Sequence, residues 1–182
     1  MLIDSIRKDS TLNKYFQDSC SENGVSVNID TSISRDDILI IKVDTYYHSE
    51  TKKHDKCPDC LVIQKCSDNN YILHIIELRN IKNSGGFEVK EILEKFITCL
   101  EDFMSIRFGN YFHNSTNNYL KINLLFVSDP YHFKKHPEKQ KFMRGHKLDA
   151  LMSQNIPKYF GKHLYIAPKI PDPVILNCRD LF

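Results

Sequence analysis

Asp59 and Glu77 carry the chemistry that this 182-residue chain offers most directly. Each borders an apolar run, Cys60-Leu61-Val62-Ile63 after the first and Tyr71-Ile72-Leu73-His74-Ile75-Ile76 before the second, and both runs read as strands. Ser67-Asp68-Asn69-Asn70 between them is turn chemistry, since Asn and Asp tolerate positive φ and close Asx-turns. A three-residue loop at 68–70 brings Asp59 level with Arg79, and strand alternation then puts Asp59, Glu77 and Arg79 on one face. A slip of one residue turns Asp59 to the other face. Two carboxylates held close at the end of an apolar strand pair repel unless a proton or a cation lies between them, and a hard divalent ion, Mg2+ or Mn2+, is the natural partner. Such an ion activates water against a phosphodiester, and the Arg79 cation suits the charge that develops on the phosphate. The plainer reading is a cross-strand charge pair in solvent. Against it, six successive apolar or His residues lead into Glu77, as in a strand buried on both faces, where an acid needs a specific partner.

The elements that must position these acids are legible around them. Residues 2–20 place Leu2, Ile3, Ile6, Leu12, Tyr15 and Phe16 at helical spacing. The β-branched run within 37–43 predicts a buried strand. After the break at Ser84-Gly85-Gly86, residues 87–108 keep a 3.6-residue apolar period with Glu, Lys and Asp on the other face, which predicts a long amphipathic helix. Leu120 to Val127 is a further strand, paired in parallel through a right-handed crossover. A late strand is expected over 161–166, followed by an extended tail with prolines at 168, 171 and 173. His74 falls on the face opposite Glu77 and reads as a core histidine.

Pro58-Asp59, followed by Glu77-Leu78-Arg79 after an apolar strand, resembles the PD-(D/E)-x-K nuclease superfamily of restriction endonucleases, junction resolvases and repair nucleases. The order helix, three-stranded meander, helix, strand agrees with that family's core. The resemblance implies an α/β fold with a restriction-endonuclease-like core, a central mixed β-sheet flanked by helices, in a single domain over 1–182. It implies Asp59, Glu77 and the Leu78 carbonyl as metal ligands, with Arg79 in the position of the family's Lys. Arg79 is a departure: a guanidinium clamps a phosphate but does not give up a proton near neutral pH. Lys82 could reach in from the next loop instead, or the site could only bind. The family's further acid, from the first helix, is left among Asp4, Asp9, Asp18 and Glu22, with Glu50 before the motif as another.

The net charge of +2 says little, but Lys134, Lys135, Lys139, Lys141, Arg144 and Lys147 cluster against a single acid, Glu138, which marks either a DNA-backbone contact or a solvated surface. With only 6 glycines and no phosphate-loop pattern, dinucleotide and P-loop folds are excluded. The apolar runs are far short of the roughly 20 residues that cross a bilayer, and the first residues are no signal peptide, so a cytoplasmic location with no membrane contact is expected. The 6 cysteines are expected as free, reduced thiols. His54, Cys57, Cys60 and Cys66 have partly zinc-like spacing, but Cys60 and Cys66 would lie about 20 Å apart along an extended strand. The sequence thus predicts a Mg2+-dependent DNA endonuclease of restriction or defence type, a homodimer if it cuts both strands. The alternative is an inactive module of the same fold that binds nucleic acid or a protein.

Overall fold

The computed structural model describes residues 1–51, 56–81, 86–135 and 147–178. In chain order its first elements are α1 (Leu2–Arg7), β1 (Phe16–Gln17), β2 (Cys20–Glu22), β3 (Val25–Ile29), β4 (Ile38–Lys42), α2 (Val43–Glu50), β5 (Cys60–Ser67) and β6 (Asn70–Leu78). There follow α3 (Val89–Thr98), its π-helical continuation Cys99–Arg107, α4 (Gly109–Phe112), β7 (Asn118–Val127) and α5 (Lys147–Met152). β8 (Ile156–Tyr159), β9 (Lys162–Leu164), β10 (Ile166–Lys169) and β11 (Val174–Ile175) close the chain.

A six-stranded mixed sheet runs β1-β4-β5-β6-β7-β10. β4, β5 and β6 form an antiparallel meander, while β7 pairs in parallel with both β6 and β10. The alternation of β5 and β6 decides what covers each face. Leu61, Ile63, Tyr71, Leu73 and Ile75 pack with Ile92, Phe96 and Phe103 of the long helix. Cys60, Val62, Ile76 and Leu78 pack instead with Val25, Val27 and Ile175 of a three-stranded sheet, β11-β3-β2. Helices thus lie on one face and a small sheet on the other, which is why the run into Glu77 is apolar but for His74. Of the expected tail, the residues up to Lys169 belong to β10 beside β7 in the main sheet, and just past its last proline β11 extends the small sheet in parallel beside β3.

The helix expected over 2–20 stops at Arg7. Asp9 Oδ1 accepts from the amides of Thr11 and Leu12 at 2.8 Å, a local alternative to helical bonding that starts a short 3-10 turn. Phe16 and Gln17 then pair with Ile41 and Ile40 as an edge strand.

The expectation of free cysteines is overturned. Cys20 is bonded to Cys60 and Cys66 to Cys178, 40 and 112 residues apart, leaving Cys57 and Cys99 as buried thiols. The same pairing removes Cys60 and Cys66 from any common zinc site; His54 lies outside the described residues. Among the described residues no helix is long and apolar enough to cross a membrane.

His74 is a core histidine, as expected. Its ring sits between Gln64 Oε1 at 3.3 Å and Asn123 Nδ2 at 3.2 Å, contacts that a neutral Nε2–H imidazole satisfies on both sides. Burial, with Lys121 adding to it, pulls its pKa from 6.5 down to about 3. The unfolded chain therefore takes up the proton first as pH falls, so His74's contribution is intact above about 6.5 and is lost on acidification from there towards 3. Between pH 7 and pH 5 the loss is about 2 kcal/mol. Urea unfolding at the two pH values should show this in the native protein and lack it in His74→Gln.

Candidate metal centre

The adjoining ends of β4, β5 and β6 build the site. Lys42 pairs with Cys60, and Cys60 with Ile76. The chain therefore delivers Asp59 opposite Glu77, and the Val43 amide donates to the Asp59 carbonyl at 3.0 Å. This differs from the expected register, which set Asp59 level with Arg79. The hairpin turns through Asp68 and Asn69, with Ser67 opposite Asn70 and a bulge after Lys65, so the pairing moves by two residues. A shift of two leaves every side chain on its face. Glu77 and Arg79 accordingly meet α3 on the helical side.

α3 supplies what the strands lack. Lys95 Nζ donates to Glu77 Oε1 at 2.8 Å, and Arg79 Nε donates to the same oxygen at 2.7 Å. Arg79 Nη2 reaches Glu91 Oε1 at 3.2 Å. Glu91 and Lys95 are four apart on one helix face, beside the buried Ile92 and Phe96. Glu77 is 0% exposed and Asp59 5%. Asp59 Oδ2 accepts from the Leu78 amide at 2.5 Å.

Two further acids complete the cluster. Asp44 sits in the first turn of α2, just beyond the end of β4, and Glu22 comes across from β2 of the small sheet. Single oxygens of Glu22, Asp44 and Asp59 all lie within 4.8 Å of one another. With Glu77, Glu91 and the cations Lys42, Lys95 and Arg79, the region carries an excess of two negative charges when all groups ionise. An open cleft of about 360 Å³, lined by Glu22, Asn23, Asp59, Glu77, Leu78, Arg79, Asn80 and Lys95, gives access.

The electrostatics report the crowding. Burial, then the charge of Glu77 and the contact with Glu22, pushes the Asp59 carboxyl up to about 9. Glu22 moves the other way, below the usual carboxylate range, because it accepts the proton Asp59 keeps and feels Lys42, Lys95 and Arg79. Burial raises Glu77, with Lys95 and Arg79 opposing it. Among the described residues, Oε2 of Glu77 and Oε2 of Glu22 are buried with no hydrogen-bond donor. Unpartnered carboxylate oxygens beside a proton-sharing acid pair are the acceptor set that a hard divalent cation takes.

No family model, curated protein or solved structure matches this chain.

Of the residues singled out in the sequence, Asp59, Glu77, Leu78 and Arg79 come together. Among the candidate further acids, Glu22 joins them. Asp9 caps a turn and bonds Tyr111, Glu50 bonds Tyr15 and pairs with Lys14, and Asp4 pairs with the N-terminus. Asp18 lines a different cleft. Lys95, Glu91 and Asp44 were missed. The signal for the first two is the i,i+4 pair flanking the apolar stripe of the helix, and for Asp44 its position one residue past a strand that must end where Asp59 begins. Within the basic cluster, Lys134 pairs with Asp172 and Lys147 bonds the Phe87 carbonyl and Glu88 at the start of α3. Lys135 is exposed, while Lys139, Lys141 and Arg144, like Lys82, lie outside the described residues.

Proposed function

We propose that the chain is a divalent-cation-dependent phosphodiesterase acting on DNA, an endonuclease of restriction or defence type. The observation that carries the reading is the buried acid pair Asp59 and Glu77 on adjacent strand ends, with a lysine ammonium on Glu77 and donor-less carboxylate oxygens beside it. Glu22, Asp44 and Asp59, whose oxygens converge, would hold Mg2+ or Mn2+, with Glu77 and the Leu78 carbonyl as the further ligands that the resemblance implies. When bound, the ion supplies Lewis-acid polarisation of a phosphate oxygen and a more acidic water. The chain's own groups do the rest. Lys95 offers what Arg79 cannot, an amine able to hold or pass a proton, and it stands on the same Glu77 oxygen as Arg79. Arg79, half-buried and oriented by Glu77 and Glu91, presents a fixed positive charge to the cleft for the phosphate. The resemblance to PD-(D/E)-x-K nucleases supports the same reading through residue types and element order. Lys134, Lys135 and the basic residues up to Lys147 are proposed to contact the DNA backbone, and cutting of both strands would call for two copies related by symmetry.

A second reading is favoured by one contact set: Glu77 Oε1 takes both Lys95 and Arg79, a closed charge cluster that a binding module without catalysis would also need. Supercoiled plasmid incubated with the protein separates the two. Nicking or linearisation in Mg2+ and Mn2+, abolished by chelator, is the expected result. DNA retained equally with chelator present, and no cutting of duplex or single strands, would replace the enzyme by the binding module. In either case a cytoplasmic setting fits only if the disulfides are reversible, since cytosolic disulfides are uncommon and usually transient or redox-sensing.

A further inference from the structure

Glu22 is the one acid of the converging three that the small sheet carries; Asp44 and Asp59 belong to the main sheet's own connections. Its strand β2 is three residues long and, among the described residues, pairs only with β3. Little else ties this strand to the acids: Asn80 Nδ2 donates to the Asn23 carbonyl at 2.7 Å in solvent, and Lys42 Nζ to the Ser21 carbonyl at 3.5 Å. Asp59 shares a proton with Glu22, and the cations Lys42, Lys95 and Arg79 favour the charge of Glu22, but none of these contacts tethers the strand. The strong link is covalent. Cys20 lies two residues before Glu22, Cys60 directly follows Asp59, and the two sulfurs are bonded to each other. Both cysteines are 0% exposed, within the apolar layer of Val25, Val27, Val62 and Ile76.

We propose that the Cys20–Cys60 disulfide is a positioning element of the cation site, so that the affinity for a divalent ion depends on the redox state of this bond. The proposal rests on the metal reading above. In the disulfide form Glu22 is held against Asp59 and completes the ligand set. In the dithiol form β2 loses that tether and is free to withdraw with Glu22, leaving Asp44 and Asp59 of the converging three. Conversion needs a dithiol reductant: its thiolate attacks one sulfur, the second thiol resolves the mixed disulfide, and two electrons and two protons end on Cys20 and Cys60 while the reductant becomes a disulfide. Because the bond is buried, exchange requires local opening of β2, which its short pairing allows. Cys66–Cys178, at the far end of β5, is the internal control.

Mn2+ binding, read from the electron paramagnetic resonance of the free aquo ion, tests this on the full chain. The proteins compared are the disulfide form, the dithiol-treated form, Cys20→Ser/Cys60→Ser and Cys66→Ser/Cys178→Ser, each with and without Glu22→Gln. Circular dichroism monitors folding, and Cys20→Ala/Cys60→Val, which keeps the layer apolar, replaces the serine pair if that pair unfolds. The expected result is a dissociation constant about tenfold or more weaker without the Cys20–Cys60 bond, and unchanged without Cys66–Cys178. Glu22→Gln should weaken binding about tenfold with the bond present and less than about twofold without it, a non-additivity that general loss of structure would not produce. Equal Mn2+ affinity with and without the bond, with Glu22→Gln costing the same in both, overturns the positioning role and leaves the metal reading standing. Absence of Mn2+ binding by the disulfide form removes both.

Discussion

Asp59→Asn is expected to lower metal-dependent cleavage by at least about a hundredfold, beyond the usual cost of altering an outer-shell partner of a metal, while making the cation-free protein more stable. The substitution keeps shape and keeps an oxygen to accept the Leu78 amide, now at 2.5 Å from Asp59 Oδ2. What it removes is a carboxylate that is 5% exposed and crowded by Glu22, Asp44 and Glu77. Relief of that crowding should add about 0.5–2 kcal/mol to stability in chelator, the scale of a typical stabilising substitution at a site strained for function. Urea unfolding checks it. Mg2+ should stabilise the native protein through mass action and leave Asp59→Asn unchanged. Loss of stability in chelator would instead make Asp59 a structural acceptor and count against the cation site.

Lys95→Met should be the most destabilising single change at the site, by about 2–3 kcal/mol. It leaves Glu77, wholly buried, with Arg79 as its remaining cation, and breaking one arm of a buried ion pair strands the other. The figure sits at or below the lower end for such pairs because Arg79 stays and the Lys95 side chain is 14% exposed. Adding Glu77→Gln should recover most of the loss, since the stranded charge goes with it, and the double-mutant cycle measures the coupling. Cleavage distinguishes the two cations: Lys95→Met should be inactive at any Mg2+ concentration, whereas Arg79→Lys should retain activity. Full activity in a folded Lys95→Met would remove the amine from the mechanism.

The contrast between Lys95 and Glu22 shows what the sequence could and could not say. The long helix was legible from its 3.6-residue period and the meander from its β-branched runs, because each signal is local and strong. Lys95 and Glu91 sat in that pattern as polar-face residues; only the knowledge that the helix covers the Glu77 face turns them inward. The order and face of Asp59, Glu77 and Arg79 were legible, but not their register, which depends on a two-residue turn and a bulge that Cys66-Ser67-Asp68-Asn69 does not specify. Glu22 was one acid among several because its place depends on a second sheet folding back over β5. The disulfides escaped for the same reason: partners 40 and 112 residues away leave no periodicity behind. The helix over 2–20 failed locally, since Asp9 offered the backbone a better acceptor than the next turn.

β5 carries one half-cystine at its first residue and another near its last, and the two bonds run to opposite ends of the sequence, back to Cys20 and forward to Cys178. The oxidised chain is therefore a figure of eight, with this strand as its waist and two covalent rings that neither overlap nor nest. Even fully denatured, such a chain keeps both of its lobes pinned to the strand that begins beside Asp59. Rings of this size remove about 4–5 kcal/mol each from the unfolded state in the chain-entropy account. Residues 61–65 of the waist lie in neither ring and keep the freedom of an open linker, so the bonds hold both lobes beside a strand whose own register must still form before any acid meets its neighbour.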